Sequence, residues 1–463
     1  MWLPSDWSSA RPFALCLAGA VLVFLARIHE VLPPLGKLYP AKLIALPLVA
    51  TAIIGLRRDL LKRALQMTPV RCVLLIAALA VLSVPGSVYP RNSFMFLTGP
   101  FFRFLILFVL VAAGFGDRRI FKTCIIALVV GVTLAAGRAL LGWNGGWDVG
   151  RFAIGGTYDP NASASLFVLT IPFALYLASR GGIWQLIGFG SSLLLAAAVL
   201  KTGSRGGMLG LALITPWLLY LAPRQRRVLY IVGVAIGATF IVVTMSDAQR
   251  ARFATIFAPS EDYNMTFREG RIEVWKRGLR YMATHPFLGV GVDGFQVAEG
   301  TLAGKVNEGY GIGYTAAHNS FVQIGAELGV GGLITFLVML ATAAMGAWRV
   351  RVWTLRRASE LPRHVADQEI GLANASIGAL IGTATTGFFL SLAYDPIVLF
   401  IVATCAALVV GSPLGGTPAK RHAAQPQPQD AAPPTGAPGW RSARFRRQPQ
   451  TRGNRRVGRR SAS

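Results

Sequence analysis

The stretch IWQLIGFGSSLLLAAAVL, from Ile183 to Leu200, carries no charged residue and runs directly into Lys201-Thr202-Gly203-Ser204-Arg205-Gly206-Gly207. A helix that crosses the hydrocarbon core of a bilayer needs about 20 largely apolar residues. The run shows neither the alternation of a half-buried strand nor the stripe of a surface helix, so it predicts a transmembrane helix. Equivalent runs recur on both sides of it. With 53% hydrophobic and 14% charged residues over 463 positions, the whole chain has a membrane composition.

Read by the same rule, twelve spans are expected: Phe13 to Ile28, Leu38 to Leu56, Val70 to Val88, Phe102 to Phe115, Phe121 to Leu141, Ser163 to Ala178, Ile183 to Leu200, Met208 to Leu221, Val228 to Thr244, His318 to Trp348, Gly371 to Ala393 and Pro396 to Val410. The fold class is therefore an all-α, polytopic transmembrane bundle. Pro and Gly within several runs are compatible with this, because neighbouring helices re-satisfy the backbone.

The net charge of +26 raises the question of nucleic acid. Its distribution excludes that reading. Eleven basic residues lie in the tail between Lys420 and Arg460, which has few aromatics for base stacking. Most others crowd alternate gaps between apolar runs: Arg57, Arg58, Lys62 and Arg63; Arg118, Arg119 and Lys122; Arg180; Arg224, Arg226 and Arg227; Arg349, Arg351, Arg356, Arg357 and Arg363. Such alternation is the positive-inside signal, and it puts both termini in the cytoplasm. Residues 1–12 then form a cytoplasmic N-terminus, 13–244 the first nine spans, 245–317 a periplasmic loop, 318–411 the last three spans and 412–463 a disordered basic cytoplasmic tail. The N-terminal segment has Arg11 but no strongly basic start and no clear cleavage site, so the first apolar run is expected to be retained. The loop balances eight Lys and Arg against eight Asp and Glu. Within it Phe267, Ile272, Trp275, Leu279 and Met282 recur as on an amphipathic helix along the membrane surface. Cys16, Cys72, Cys124 and Cys405 fall in or beside apolar runs and suggest no disulfide framework or zinc site.

With sides assigned, a few polar residues stand on the face opposite the arginine-rich gaps. Arg151, Asp159 and Asn161 share one outer loop, Lys201 and Arg205 another, and Arg271 and His318 belong to the long loop; Asp395 occupies the last outer turn. An outer arginine between apolar helices calls for an anionic partner. In Gly203-Ser204-Arg205-Gly206-Gly207 the glycines let backbone amides approach a phosphate while the guanidinium binds two of its oxygens. A tight interfacial turn with a snorkelling arginine is the structural alternative, and for Arg271 the alternative is an ion pair with a nearby Glu on the same helix. His318 is expected to open the tenth span, where the helix dipole disfavours protonation and leaves a neutral imidazole able to act as a general base. Asn319, Gln323 and Glu327 follow at i, i+4, i+8 as a polar stripe; Asn319 could bind substrate, and Gln323 and Glu327 are read as support for the histidine. No carboxylate pair or His/Glu/Cys cluster with ligand spacing is evident on this face, which argues against an obligatory metal. Gly289 and Gly291 lack a preceding strand and are read as a turn.

The order of these motifs resembles the bacterial O-antigen ligase and polysaccharide polymerase superfamily. The resemblance rests on the Asp159-Pro160-Asn161 loop, Arg205 in Gly-Ser-Arg-Gly-Gly, Arg271 before Trp275, His285-Pro286 with Leu288-Gly289-Val290-Gly291, and His318-Asn319-Ser320 with Glu327-Leu328-Gly329. It covers roughly Arg151 to Leu340. It implies a GT-C-like, metal-independent glycosyltransferase of the inner membrane, with no cofactor. Such an enzyme moves a glycan from undecaprenyl diphosphate to an acceptor hydroxyl, on a lipid A core or a growing polysaccharide, at the periplasmic face. By that resemblance Arg205 and Arg271 hold the diphosphate, His318 activates the acceptor, and Arg151 and Asn161 support binding; Lys201, on the outer face beside Arg205, is expected to bind substrate as well. Two other functions compete. One is a protein O-oligosaccharyltransferase with the same donor, and the other a transporter of lipid-linked glycan without chemistry. The latter calls for repeated halves, and no internal repeat is evident.

Overall fold

Proline and short polar residues decide where the helices begin. Pro40, Pro69, Pro90, Pro160 and Pro396 each stand in a first turn, where the missing N–H costs nothing. Asp117, Asp159, Asn319 and Asp395 are N-caps whose side chains accept backbone N–H groups of the turn that follows. The computed structural model describes residues 7–142, 152–154, 156–221, 270–306 and 315–415, with isolated positions between 227 and 250. Among the described residues every regular element is helical.

In chain order these are α1 (Trp7–Phe24), α2 (Ile28–Val31), α3 (Pro33–Gly36), α4 (Pro40–Gly55), α5 (Arg58–Gln66), α6 (Thr68–Ser83) and α7 (Pro90–Phe96). A π-helical turn at Leu97–Phe101, around Pro100, leads into α8 (Phe102–Gly114). There follow α9 (Arg118–Leu140), α10 (Pro160–Ala178), α11 (Ile183–Lys201), α12 (Arg205–Leu221), α13 (Arg271–Thr284), α14 (Phe295–Val306), α15 (Ser320–Arg356), α16 (Arg363–Gly387) and α17 (Pro396–Val410).

Among the described residues, six helical stretches are long and apolar enough to cross a membrane: α1, α7 continued through α8, α9, α10, α11 and α15. A seventh is counted if α4 and α5, bent by 102°, form one broken span. Helices α6, α12 and α17 are apolar but shorter. This is a multi-pass membrane protein. Of the twelve expected spans, those at α6, α12 and α17 appear among the described residues as apolar helices of 15–17 residues. The ninth expected span, Val228 to Thr244, lies largely outside the described residues, as do Phe267 and the tail from Gly416 on.

Helix α10 lies at the centre, packed on α9, α11, α12 and α16. Its close approach to α16 follows from small residues: a side chain on Gly378 would press on Pro172 and Trp217, and one on Gly382 would overlap Val168. On the other side α15 packs against α6, α13, α16 and α17.

One cation read as a topology signal has a different role. Arg118 is 8% exposed and makes a double hydrogen bond to the Glu369 carboxylate at 2.6 and 2.8 Å. It also donates to the carbonyls of Phe115, Ala407 and Leu408. It clamps α9 to α16 and the end of α17. Charge counting along a sequence cannot separate a buried clamp from a headgroup contact.

Candidate active site

The segment before α15 is held from several directions. Ala317 accepts the Trp275 indole N–H at 3.0 Å, and the His318 N–H donates to Ser391 Oγ at 2.9 Å. Asn319 Oδ1 accepts from the N–H groups of Phe321 and Val322. Ser320 Oγ donates to Leu390 O at 2.7 Å and accepts from Leu392 N at 2.9 Å, and Gln323 Oε1 accepts from Ala393 N. The first turn of α15 is thereby fastened to the turn after α16.

His318 itself stands outside the helix, two residues before its first residue, with φ at 46°. That backbone is in the left-handed region, uncommon for a non-glycine residue. The expected helix-dipole effect is not the leading cause of its neutrality. Burial pushes the imidazole below its ordinary value, the Arg271 guanidinium pushes the same way, and the Asp159 carboxylate opposes both. The ring is held neutral, with a lone pair available.

Arg271 is the first residue of α13. This helix buries Val274, Gly278 and Tyr281 and leaves Ile272 and Leu279 exposed. A side chain at Gly278 would overlap Val322 of α15, so the glycine lets the two helices touch. Trp275 packs edge-on against Phe388 at 5.4 Å. Glu273 pairs with Lys276 at 2.7 Å. A buried Glu299, bound by Arg277 at 2.6 Å and by the Tyr281 hydroxyl at 2.8 Å, fixes α14 beneath α13.

Arg205 begins α12. Ser204 Oγ accepts from Gly207 N at 3.2 Å, and Thr202 Oγ1 accepts from Ser204 N at 3.1 Å, which together shape the turn. Gly206 lies against Phe389, and Gly207 lies so close to Ala164 of α10 that a side chain would overlap it. Asp159 caps α10 through Ala162 N at 2.7 Å, with the Asn161 amide at 3.4 Å from its other oxygen. Helices α12, α13 and α15 meet the turn at residues 388–393 through Gly206, Trp275 and Ser320, and α12 touches α10 at Ala164, which brings Asp159, Asn161, Arg205, Arg271 and His318 to one end of the bundle. Lys201 is exposed at the last residue of α11. Arg151 lies outside the described residues.

The polar stripe divides. The side-chain oxygen of Asn319 serves as a helix cap, and Gln323 reaches the 388–393 turn. Glu327 is 1% exposed and turns instead to the loop before α14, accepting the Phe295 N–H at 3.2 Å. Its carboxylate also lies against the hydroxyl of buried Tyr394. Beside it α15 breaks at Gly329, whose φ of 71° suits glycine. The carbonyls of Ala326 and Glu327 accept the N–H groups of Val290 and Gly291, and Val330 N donates to Pro286 O. The Leu288-Gly289-Val290-Gly291 motif is thus a turn inserted at a helix break. Asn92 and Ser93 hold its far side through Asp293 and Val292.

Residues 190–337 match the family model described as O-antigen ligase. That segment is similar to the O-antigen ligase-related superfamily. The exopolysaccharide production protein ExoQ of Rhizobium meliloti (strain 1021) is 27% identical over 192 residues, which cover 40% of this chain and 43% of the relative. The chain thus matches less than half the length of that relative. Lys201, Arg205, Arg271, His318, Asn319, Gln323 and Glu327 fall inside the matched segment, whereas Arg151, Asp159 and Asn161 precede it.

Sequence reasoning missed Ser391, which holds His318, and Arg27 and Glu30, which hold the loop before Asp159. Ser391 carried no signal. Arg27 did, because it ends an apolar run on the same side as Arg205.

Proposed function

We propose that the protein transfers a glycan from undecaprenyl diphosphate to an acceptor hydroxyl at the periplasmic face of the inner membrane. The observation that carries this reading is a neutral His318 beside Arg271 and Asp159, in a chain whose segment 190–337 is similar to O-antigen ligase. His318 takes the acceptor's hydroxyl proton as that oxygen attacks the anomeric carbon. The bond from that carbon to phosphate breaks, and the lipid diphosphate leaves with the electron pair. Arg205 and Arg271 stabilise the charge that grows on it, where preorganised cations contribute most. Lys201 and Asn161 extend the same charged and polar rim, and Arg151 is assigned to it from the sequence alone.

The relative's name, an exopolysaccharide production protein, favours a growing polysaccharide as acceptor over a lipid A core. The test is transfer by purified protein from an undecaprenyl-diphosphate glycan to polysaccharide fragments. His318→Ala and Arg205→Ala should each lower the rate at least about a hundredfold, the order expected for loss of a general base or an electrostatic stabiliser. Undiminished transfer in both variants overturns the site.

A further inference from the structure

The loop that delivers Asp159 is held by residues from the far end of the sequence. Glu30, in α2, is 17% exposed at its side chain and points its carboxylate at residues 156–157. It accepts the N–H of Gly156 at 2.9 Å, the N–H of Thr157 at 3.0 Å and the Thr157 hydroxyl. Those bonds hold its carboxyl below the ordinary value although burial acts the other way. Arg27 pairs with Glu30 at 3.3 Å and lies over the ring of buried Tyr158 at 5.5 Å. His29 Nε2 stands 3.9 Å from the same carboxylate. Tyr158 in turn lies near Asp395, and Ile154 N donates to Ser163 Oγ at 3.1 Å. The Glu30 carboxylate thus fixes the backbone at Gly156 and Thr157, just ahead of Asp159.

We propose that Glu30 and Arg27 are positioning residues: they latch the 156–158 loop so that Asp159 keeps its place at the head of α10, on the His318 side of the bundle. Two of the latch residues precede the matched segment by more than 150 positions, so the site is completed from outside it. A merely structural tie predicts lost stability. The latch predicts something more specific, because Asp159 is the described group that raises the affinity of His318 for a proton. The charged groups that act on His318 are Arg271 from α13 and Asp159 from the cap of α10. If the loop is released, the raising influence is lost and the imidazole titrates lower still.

The inference rests on His318 and Asp159 being neighbours, and its test needs no substrate. Full-length protein in detergent is treated with diethylpyrocarbonate across pH 4.5–8, and modification of the His318 peptide is followed by mass spectrometry. Asp159→Asn should move the midpoint for His318 down by at least about half a pH unit. Glu30→Ala should move it in the same direction, Glu30→Gln by less because its amide oxygen still accepts from the loop, and the double variant Glu30→Ala/Asp159→Asn no further than Asp159→Asn alone. Thr157→Ala, which removes only one exposed hydroxyl, gives a well-folded partial release if Glu30→Ala is lost to aggregation. A midpoint unchanged in Glu30→Gln and Thr157→Ala while Asp159→Asn shifts it overturns the latch, as does an unchanged midpoint in Asp159→Asn itself. Failure of glycan transfer leaves these midpoints untouched and counts against the proposed reaction alone.

Discussion

The indole N–H of Trp275 donates to the carbonyl of Ala317 at 3.0 Å, one residue before His318 and four after Arg271. This single bond spaces the base from the cation on α13. Trp275→Phe keeps an aromatic face against Phe388 and deletes the bond. It should cost about 1 kcal/mol of stability, the net worth of an ordinary hydrogen bond, yet slow transfer by more than that, because Arg271 and His318 lose their common reference. Comparing thermal unfolding with the transfer rate separates the two effects.

The proton state of His318 gives a pH signature. Since burial and Arg271 hold the imidazole below its ordinary value of 6.5, the neutral, active form persists as pH falls to 6.5, and the rate drops only below it. Removing a cation that lowers the value moves the acid limb up, so the residual activity of Arg271→Gln should fall at higher pH. Asp159→Asn should move the limb down. Profiles of kcat/KM against pH, which report the free enzyme, check both signs.

The buried pair of Arg118 and Glu369 belongs to the other end of the bundle. Glu369→Ala leaves the guanidinium buried with only carbonyl partners, and removing one partner of a buried ion pair costs about 3–5 kcal/mol. The unfolding temperature in detergent should fall accordingly, while the pH limb set by His318 stays in place.

Asp395 caps α17 through Ile397 N at 2.8 Å, and burial pushes its carboxyl up to about 6. The folded protein therefore holds this proton more tightly than the unfolded chain, whose value is near 3.8. Its contribution to stability is greatest below pH 4, declines as pH rises from 4 to 6 and stays reduced above that. Asn keeps the cap without a charge. Asp395→Asn should stabilise the fold by on the order of 1–3 kcal/mol at pH 7.5, with the gain vanishing near pH 4 in unfolding curves.

Much of the architecture was legible as apolar runs. Ile183–Lys201 and Pro160–Ala178 fall almost where the sequence puts them, since nothing in those runs competes with helix. Pro90 to Phe96 was not, because Arg91, Asn92 and Ser93 interrupt the apolar signal, while Asn92 and Ser93 serve as partners for the distant 290–295 turn. The break at Gly329 was equally hidden: it exists because residues 286–291 supply the missing hydrogen bonds, and that is a tertiary fact. The site shows the same division. Arg205, Arg271 and His318 stood out by residue type and side, and the structure brings them to one end. What holds them came from ordinary residues such as Ser391, Ala317 and Glu30, whose roles depend on partners up to 127 positions away.

The turn at residues 388–393 lies almost at the end of the helical part of the chain, yet it supplies the acceptor for the His318 N–H and the contacts for Ser320 and Gln323. During synthesis, α12, α13 and the first half of α15 are made before that turn leaves the ribosome. Until it does, the His318 N–H lacks its Ser391 acceptor, so a nascent or prematurely terminated chain can insert into the membrane before its histidine is fully anchored.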